Sequence, residues 1–327
     1  MEKLNLYNMR LLLGLLLISN LLFSQTPTIN ILGGNDTTIC SDISLNLTCD
    51  LDTITRSTTI YSISSIPYNP FSYTTGTIYD IAIDDRWSQV INLPFNFCYF
   101  GQQYNQYIIG TNGIISFNLA YANLYCPWPF TNTIPTNNPN PNPGFPRSMI
   151  GLYHDIDPSV AGEVRYGVVG TAPYRKLVVS FNQVSHYSCP LPISTFQIVL
   201  HEFTNIIDIH VLRKQTCGSW NGGRACLGIQ NTAGTIGYAP PGRNTANYTI
   251  NNAEAWRFFP NGPTNLPQWF VNGTPAGNGY TLNGNFTAPT TIEARYLYQC
   301  PVFQIFDILL INELPCCDPI EVDVFTD

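Results

Sequence analysis

FQIVLHEFTNIIDIHVLRK, residues 196 to 214, decides the fold. Apolar and polar residues alternate with a period of two on either side of Thr204-Asn205, the pattern of two strands joined by a tight turn. A turn at Thr204-Asn205 pairs His201 with Asp208 and Val199 with His210. Phe196, Ile198, Leu200, Ile207, Ile209 and Val211 then share the opposite face, which must be buried. Extending the ladder outward brings Cys189 and Cys217 near each other at its open end, so a disulfide is expected there.

The same grammar recurs outward from the hairpin. VINLPFNFCYF (90 to 100), YNQYIIGTNGIISFN (104 to 118), GEVRYGVVG (162 to 170) and RKLVVSFNQV (175 to 184) are short runs rich in β-branched and aromatic residues, punctuated by Gly, Pro and Asn. Thr111-Asn112-Gly113 separates two β-branched runs and predicts a second tight hairpin. Cys98 and Cys126 flank that hairpin and form a second expected disulfide. Helical periodicity is hard to find beyond the N-terminus. The fold class is all-β, with a β-sandwich as the main domain.

Charged residues are 11% of the 327, aromatics 13%, and there are 24 Gly and 25 Pro, a composition that suits an extracellular β-rich protein. The net charge of −7 and the lack of any basic stripe argue against a nucleic-acid partner. Lys3 and Arg10 precede an apolar run from Leu11 to Phe23, and Ser24-Gln25 suits cleavage, so residues 1–24 read as a secretory signal peptide. No later segment is apolar enough for a transmembrane helix. After such a signal, 10 cysteines read first as disulfides rather than as zinc ligands.

Composition divides the remainder. Residues 25–56 form a short N-terminal β-segment, with Cys40 and Cys49 as a third expected disulfide. Residues 57–260 form the large sandwich, interrupted by the Pro/Asn loop Thr133 to Ser148. FFPNGPTNLPQ, residues 258 to 268, is linker-like, and residues 261–327 form a small Ig-like β-sandwich on the strength of short strands and the Trp269 to Cys300 spacing.

GLYHDIDPS, residues 151 to 159, is the segment richest in potential chemistry. Asp155 and Asp157 lie two apart on a strand and face the same way, while His154 faces the other. The two carboxylates suit calcium only with further oxygen ligands, for which Glu163, Asp84 or Asp85 are the candidates. The competing reading is a strand ended by an Asp-Pro turn in which Asp157 bonds amides near Ser159 and Gly162. That reading is preferred, so no cofactor is expected, with calcium as the one alternative. A glycoside hydrolase using the same two aspartates is the weaker option, since nothing else resembles its machinery. His201, Asp208 and His210 share a face of the hairpin; a polar, solvent-facing surface is preferred there over zinc. Trp87, Trp128, Trp220 and Trp256 lie near turns, where they either cap the core or stack on sugars.

DDRWSQVINLPFNFCYFGQQYNQYIIGTNGIISFN, CPWPF, GLYHDIDPS, GTAPYRKLVVSF, QIVLHEFTNIIDIHV, GIQNTAGT, PGRNT and EAWRFFPNG follow one another between Ile83 and Phe259. In that order they resemble the large β-rich module of secreted, gliding-motility-associated surface proteins of Bacteroidetes. The FGQQYNQYIIGTNGIISF pattern with its D-x-D strand end is similar, more loosely, to nidogen-type extracellular domains, and the tail from Trp269 resembles the Ig-like repeats that follow such modules. The resemblance implies an adhesin-like protein. The chain ends at VDVFTD without the sorting domain of longer members, so a short member or another export route is expected. The expected function is an exported, secreted or cell-surface interaction protein, related to adhesion or gliding, non-catalytic, with surface glycans or envelope proteins as partners. The alternative is a carbohydrate-active protein, a calcium-assisted lectin before a hydrolase.

Overall fold

The computed structural model describes residues 26–79, 83–129, 131–137, 148–300 and 302–315. The expected signal peptide, most of the Pro/Asn loop and Cys316-Cys317 lie outside the described residues. Within them the regular elements are strands and two short 3-10 turns, Leu119–Tyr121 and Asn221–Gly223, so the chain is all-β. No helix among the described residues is long and apolar enough to cross a membrane.

Four sheets pack in two pairs. In the larger sandwich an eight-stranded sheet runs Tyr61–Ile66, Glu254–Pro260, Ile207–Lys214, Cys189–His201, Lys176–His186, Glu163–Val169 and Thr77–Tyr79, with Ile156–Asp157 added beside Lys176–His186. The facing seven-stranded sheet runs Gly237–Tyr238, Arg224–Gln230, Ser148–Tyr153, Ile114–Ser116, Gln102–Gly110 and Ile91–Tyr99, with Ala246–Asn247 at Arg224–Gln230. Between them lies a core that includes Phe97, Ile109, Ile115, Met149, Phe181, Phe196, Ile198 and Phe258. Phe181 and Phe196 stack at 4.5 Å across neighbouring strands. All six apolar residues assigned to the inner face of the 196–214 hairpin belong to this core.

The hairpin's register differs by two residues from the expected one. Val199 pairs with Asp208 and Gln197 with His210, and the turn is Glu202 to Asn205. A two-residue slip preserves the faces, so the six apolar residues stay inside. The opposite face, expected to meet solvent, is buried as well, with Gln197, Val199, Asp208 and His210 each 5% exposed or less, because Arg257 and Tyr68 cover it. The longer turn exists because its side chains have another task. Phe203, at φ 63°, swings away to pack against Tyr298 at 5.1 Å and Phe303 at 5.7 Å in the second sandwich. Asn205, at φ 53°, accepts from the Cys98 N–H at 2.7 Å and donates to the Cys300 carbonyl at 3.1 Å.

The second, smaller sandwich draws on both ends of the chain. Ile29–Leu32, Ile43–Leu51 and Thr281–Phe286 form one sheet; Thr37–Ile39, Val302–Glu313, Thr290–Gln299, Gln268–Val271 and Thr274–Asn278 form the other. Leu47, Trp269, Ile292, Tyr296, Tyr298, Leu309 and Ile311 fill its core. The N-terminal β-segment is thus one wall of the C-terminal module rather than a separate unit.

One expected disulfide forms, Cys189–Cys217, and it closes the open end of the long hairpin. Cys98 does not pair with Cys126. It bonds Cys300, 202 residues away, because the end of Ile91–Tyr99 abuts the Asn205 turn and the small sandwich. Cys126 is a buried free thiol. Cys49 is likewise free, pointing into the small core, whereas Cys40 is disulfide-bonded elsewhere. The Cys40–Cys49 pairing fails because Thr37–Ile39 and Ile43–Leu51 belong to opposite sheets.

The polar face of the hairpin is an ion-pair ladder. Asp208 accepts two bonds from Arg257, each of 2.7 Å, and one from His201 at 2.9 Å. His210 packs on Tyr68 instead. With its oxygens so engaged, Asp208 is a cross-strand partner and not a zinc ligand. Burial alone would raise its pKa; the bonds from Arg257 and His201 outweigh that and hold it at about 2.

Two outcomes are expected. Asn205→Ala leaves a buried N–H and a carbonyl without partners at the junction, each costing about 1–3 kcal/mol, and urea titration should show the lower midpoint with no change in free thiols. Asp208→Asn should cost about 2 kcal/mol at neutral pH, less than a fully buried pair because Arg257 is partly exposed. Since the native carboxyl titrates below its unfolded value, that difference is complete above pH ~4 and shrinks as pH falls through about 2. Parallel unfolding curves at several acidic pH values measure it.

Candidate functional site

The middle strands of the seven-stranded sheet, Ile114–Ser116, Ser148–Tyr153 and Arg224–Gln230, are buried on both faces. In Gln102–Gly110, Ile114–Ser116 and Ser148–Tyr153, Ile109, Ile115 and Met149 face the main core, while Ile108, Ile114 and Ile150 face a second cluster with Trp87, Cys126, Tyr153 and Cys226. Sequences for such strands read as continuous apolar runs, as YIIG and GIIS do. The outer layer is irregular chain anchored by Trp87, which is fully buried. Gly110 makes room for it: a Cβ there would lie 3.0 Å from the indole and 2.7 Å from the Cys126 sulfur.

Burying irregular chain requires partners for its backbone. The Trp87 N–H donates to Leu124 O at 2.9 Å, Cys126 N–H to Asp85 O at 2.8 Å and Thr111 N–H to Arg86 O at 3.0 Å. Asn112, fully buried in the expected 111–113 turn, joins three segments. Its Nδ2 donates to Asp85 Oδ1 at 2.7 Å and to the Cys126 carbonyl at 3.0 Å, and its Oδ1 accepts from the Ile156 N–H at 3.1 Å. Asp84 and Asp85 are thereby held beside the 155–157 segment.

The result is a carboxylate cluster. Ligand oxygens of Asp84, Asp85 and Asp155 lie within 4.8 Å of one another. Asp155 Oδ2 accepts from Trp220 Nε1 at 2.6 Å, and Asp84 Oδ1 accepts from the Asp85 N–H at 2.9 Å. Asp155 is only 4% exposed, and its Oδ1 has no hydrogen-bond partner. Burial raises Asp84 to about 7, with repulsion from Asp85 and Asp157 added. Burial also raises Asp155 to about 7; the Trp220 bond opposes the shift, and Asp85, Asp84 and Asp157 reinforce it. Asp85 is raised by burial against the bonds from Asn112 and Tyr125.

Aromatic side chains border the cluster. Trp220 lies 5.2 Å from Trp128 and 5.3 Å from Tyr187, whose own N–H donates to the Asp155 carbonyl at 3.2 Å. Tyr125, hydrogen-bonded to Asp85, and Tyr187 are exposed, at 58% and 43%. Trp128 and Trp220 are half-buried.

The structure sorts the sequence candidates. Asp155 meets Asp84 and Asp85. Asp157 turns to its own loop, its Oδ1 accepting from the Ser159 N–H at 2.9 Å and hydroxyl at 2.5 Å, as an Asp-Pro turn requires. Glu163 pairs with Arg165 at 2.9 Å. His154 faces inward to His186 at 3.3 Å and Ser194 at 3.0 Å; burial, then His186 and Lys214, hold it well below the ordinary imidazole range. Trp87 caps the outer core, and Trp256 packs against the inner one. The tether from Trp220 and the hub at Asn112 have no local sequence signal, since their partners lie 65 and 27 residues away.

No curated protein and no solved structure matches the chain. A family model described as NIDO related matches residues 60–262, more than half of the chain. That span takes in the larger sandwich from its first strand to its last and contains the acidic cluster with its aromatic border. With disulfides at Cys98–Cys300 and Cys189–Cys217, it points to an extracellular interaction module. The chain belongs to the NIDO-related, that is nidogen-related, family.

Proposed function

We propose that this chain is a secreted or cell-surface interaction protein that serves adhesion, in a gliding or attachment setting, and that it acts by binding rather than catalysis. The observation that carries the reading is the contiguous run of Trp128, Trp220 and Tyr187 beside the acidic cluster, with Tyr125 bonded to Asp85 within it. Aromatic side chains combine a large apolar face with a polar tip and lose little entropy on docking, which suits recognition surfaces. They sit on loops and turns at the ends of strands from both sheets of the larger sandwich, and rigid β-scaffolds commonly present recognition loops in this way. Surface glycans and envelope proteins both fit such a surface. The tilted Trp128–Trp220 pair, 43° between planes, specifically favours a lectin-like mode as the second reading, with sugar rings stacked on one indole.

The test is binding of the labelled full chain to the cells that export it and to a glycan array, with Trp128→Ala/Tyr187→Ala as the comparison. These two side chains border the cluster without bonding its carboxylates through their rings. The double variant is expected to keep its unfolding midpoint within a few degrees and to lose about tenfold or more in binding, as for central aromatic contacts. Unchanged binding by the variant, or no binding by wild type to cells or glycans, overturns the proposal. Hydrolysis of an array glycan overturns its non-catalytic part.

A further inference from the structure

We propose that Asp84, Asp85 and Asp155 form a calcium site. Three observations converge on it. First, the ligand oxygens of the three carboxylates lie within 4.8 Å of one another, and none of the ion pairs among the described residues involves them. Second, Asp155 is almost wholly buried and Oδ1 has no partner, although Oδ2 is bonded at 2.6 Å. An unpartnered buried carboxylate oxygen is costly, and such groups are found paired or coordinating metals. Third, the bonds that hold the cluster come from neutral donors: Asn112 Nδ2 and the Tyr125 side chain to Asp85, the Asp85 N–H to Asp84, and Trp220 Nε1 to Asp155. Neutral donors orient carboxylates without cancelling their charge, which is what the outer shell of a metal site does.

The donor set selects the metal. It is all oxygen and all carboxylate, while His154 is turned inward to His186 and Ser194. Hard, oxygen-only ligation suits calcium or magnesium, not zinc. Calcium tolerates irregular geometry and takes about six to eight oxygens, whereas magnesium demands a near-ideal octahedron. Three carboxylates leave coordination positions for water or for oxygens of a bound partner. The site deepens the recognition reading by supplying a cation beside the aromatic run, and rests on that reading only for its role.

Calorimetric titration of calcium into chelator-treated full chain decides the matter. One site is expected, with Kd on the order of 10⁻⁴ to 10⁻³ M or tighter, as in extracellular modules. Asp155→Asn and Asp84→Asn should each weaken it about tenfold or more, and Asp157→Asn should not. Both isosteric variants should remain folded in chelator, unfolding no lower than wild type there, because each removes one repelling charge. Terbium offers a second readout: its emission should be sensitised by excitation of tryptophan and fall in Trp220→Phe. Absence of calcium heat in wild type, or wild-type affinity retained in Asp155→Asn and Asp84→Asn, overturns the site. Cell and glycan binding is scored separately, so calcium binding without adhesion sinks only the recognition reading, and adhesion without calcium binding sinks only this one.

Discussion

The middle strands of the seven-stranded sheet are buried on both faces, and much of the rest depends on that. A sheet in this position needs a second layer over its outer side. Here that layer is irregular chain pinned by Trp87. Irregular chain brings backbone groups that no ladder satisfies, so side chains must serve them. Asn112 does so for Cys126 and Ile156 while fixing the Asp85 side chain. The acidic cluster is therefore a product of how the outer layer is closed. Its position follows from Trp87 and Asn112, and its chemistry from Asp84, Asp85 and Asp155.

A second constraint joins the two sandwiches. The 202–205 turn gives Phe203 to the small core and Asn205 to the junction, beside the Cys98–Cys300 bond. Hydrophobic packing, hydrogen bonding and a covalent link thus act on one spot. A crosslink closing so long a loop removes much conformational freedom from the unfolded chain, on the entropic account. The same turn carries Glu202, which binds Arg175 through bonds of 2.8 and 2.6 Å. The junction is specified by a few residues at a hairpin tip rather than by a broad interface between sheets.

How much of this was legible in the sequence follows from range. Alternation along Phe196 to Val211 specified which residues share the inner face, because a strand's two faces are a local property; that the polar face is buried too depended on Arg257 and Tyr68 from distant strands and loops. Its register was not, since the turn length was set by Phe203 and Asn205 reaching a module nearly 100 residues later. The 111–113 hairpin and the Asp157 turn were readable for the same local reason. Cysteine pairing was readable only where a ladder led to it, at Cys189 and Cys217. Cys98 was assigned to its neighbour in sequence, whereas its partner came from across the junction. At the candidate site, Asp84 and Asp85 could be named as potential partners of Asp155 from composition alone. That they meet it, and that Glu163 does not, depended on Trp87 and Asn112 closing the outer layer.

The distribution of charge separates the acidic cluster from the rest of the protein. Four other carboxylates with little exposure are matched by guanidinium groups: Asp208 by Arg257, Glu254 by Arg243, Glu202 by Arg175, Glu293 by Arg295. Those pairings lower Asp208 and Glu254, although burial opposes the shift in both. At Asp84, Asp85 and Asp155 the direction reverses, with burial and mutual repulsion acting together. A fold able to supply arginine to four other carboxylates supplies amide, indole and phenol donors here. Such donors leave the negative charge in place and hold the oxygens in position to be neutralised from outside. Three such carboxylates held together cost stability, and on the proposed recognition reading that is the ordinary trade at a binding site.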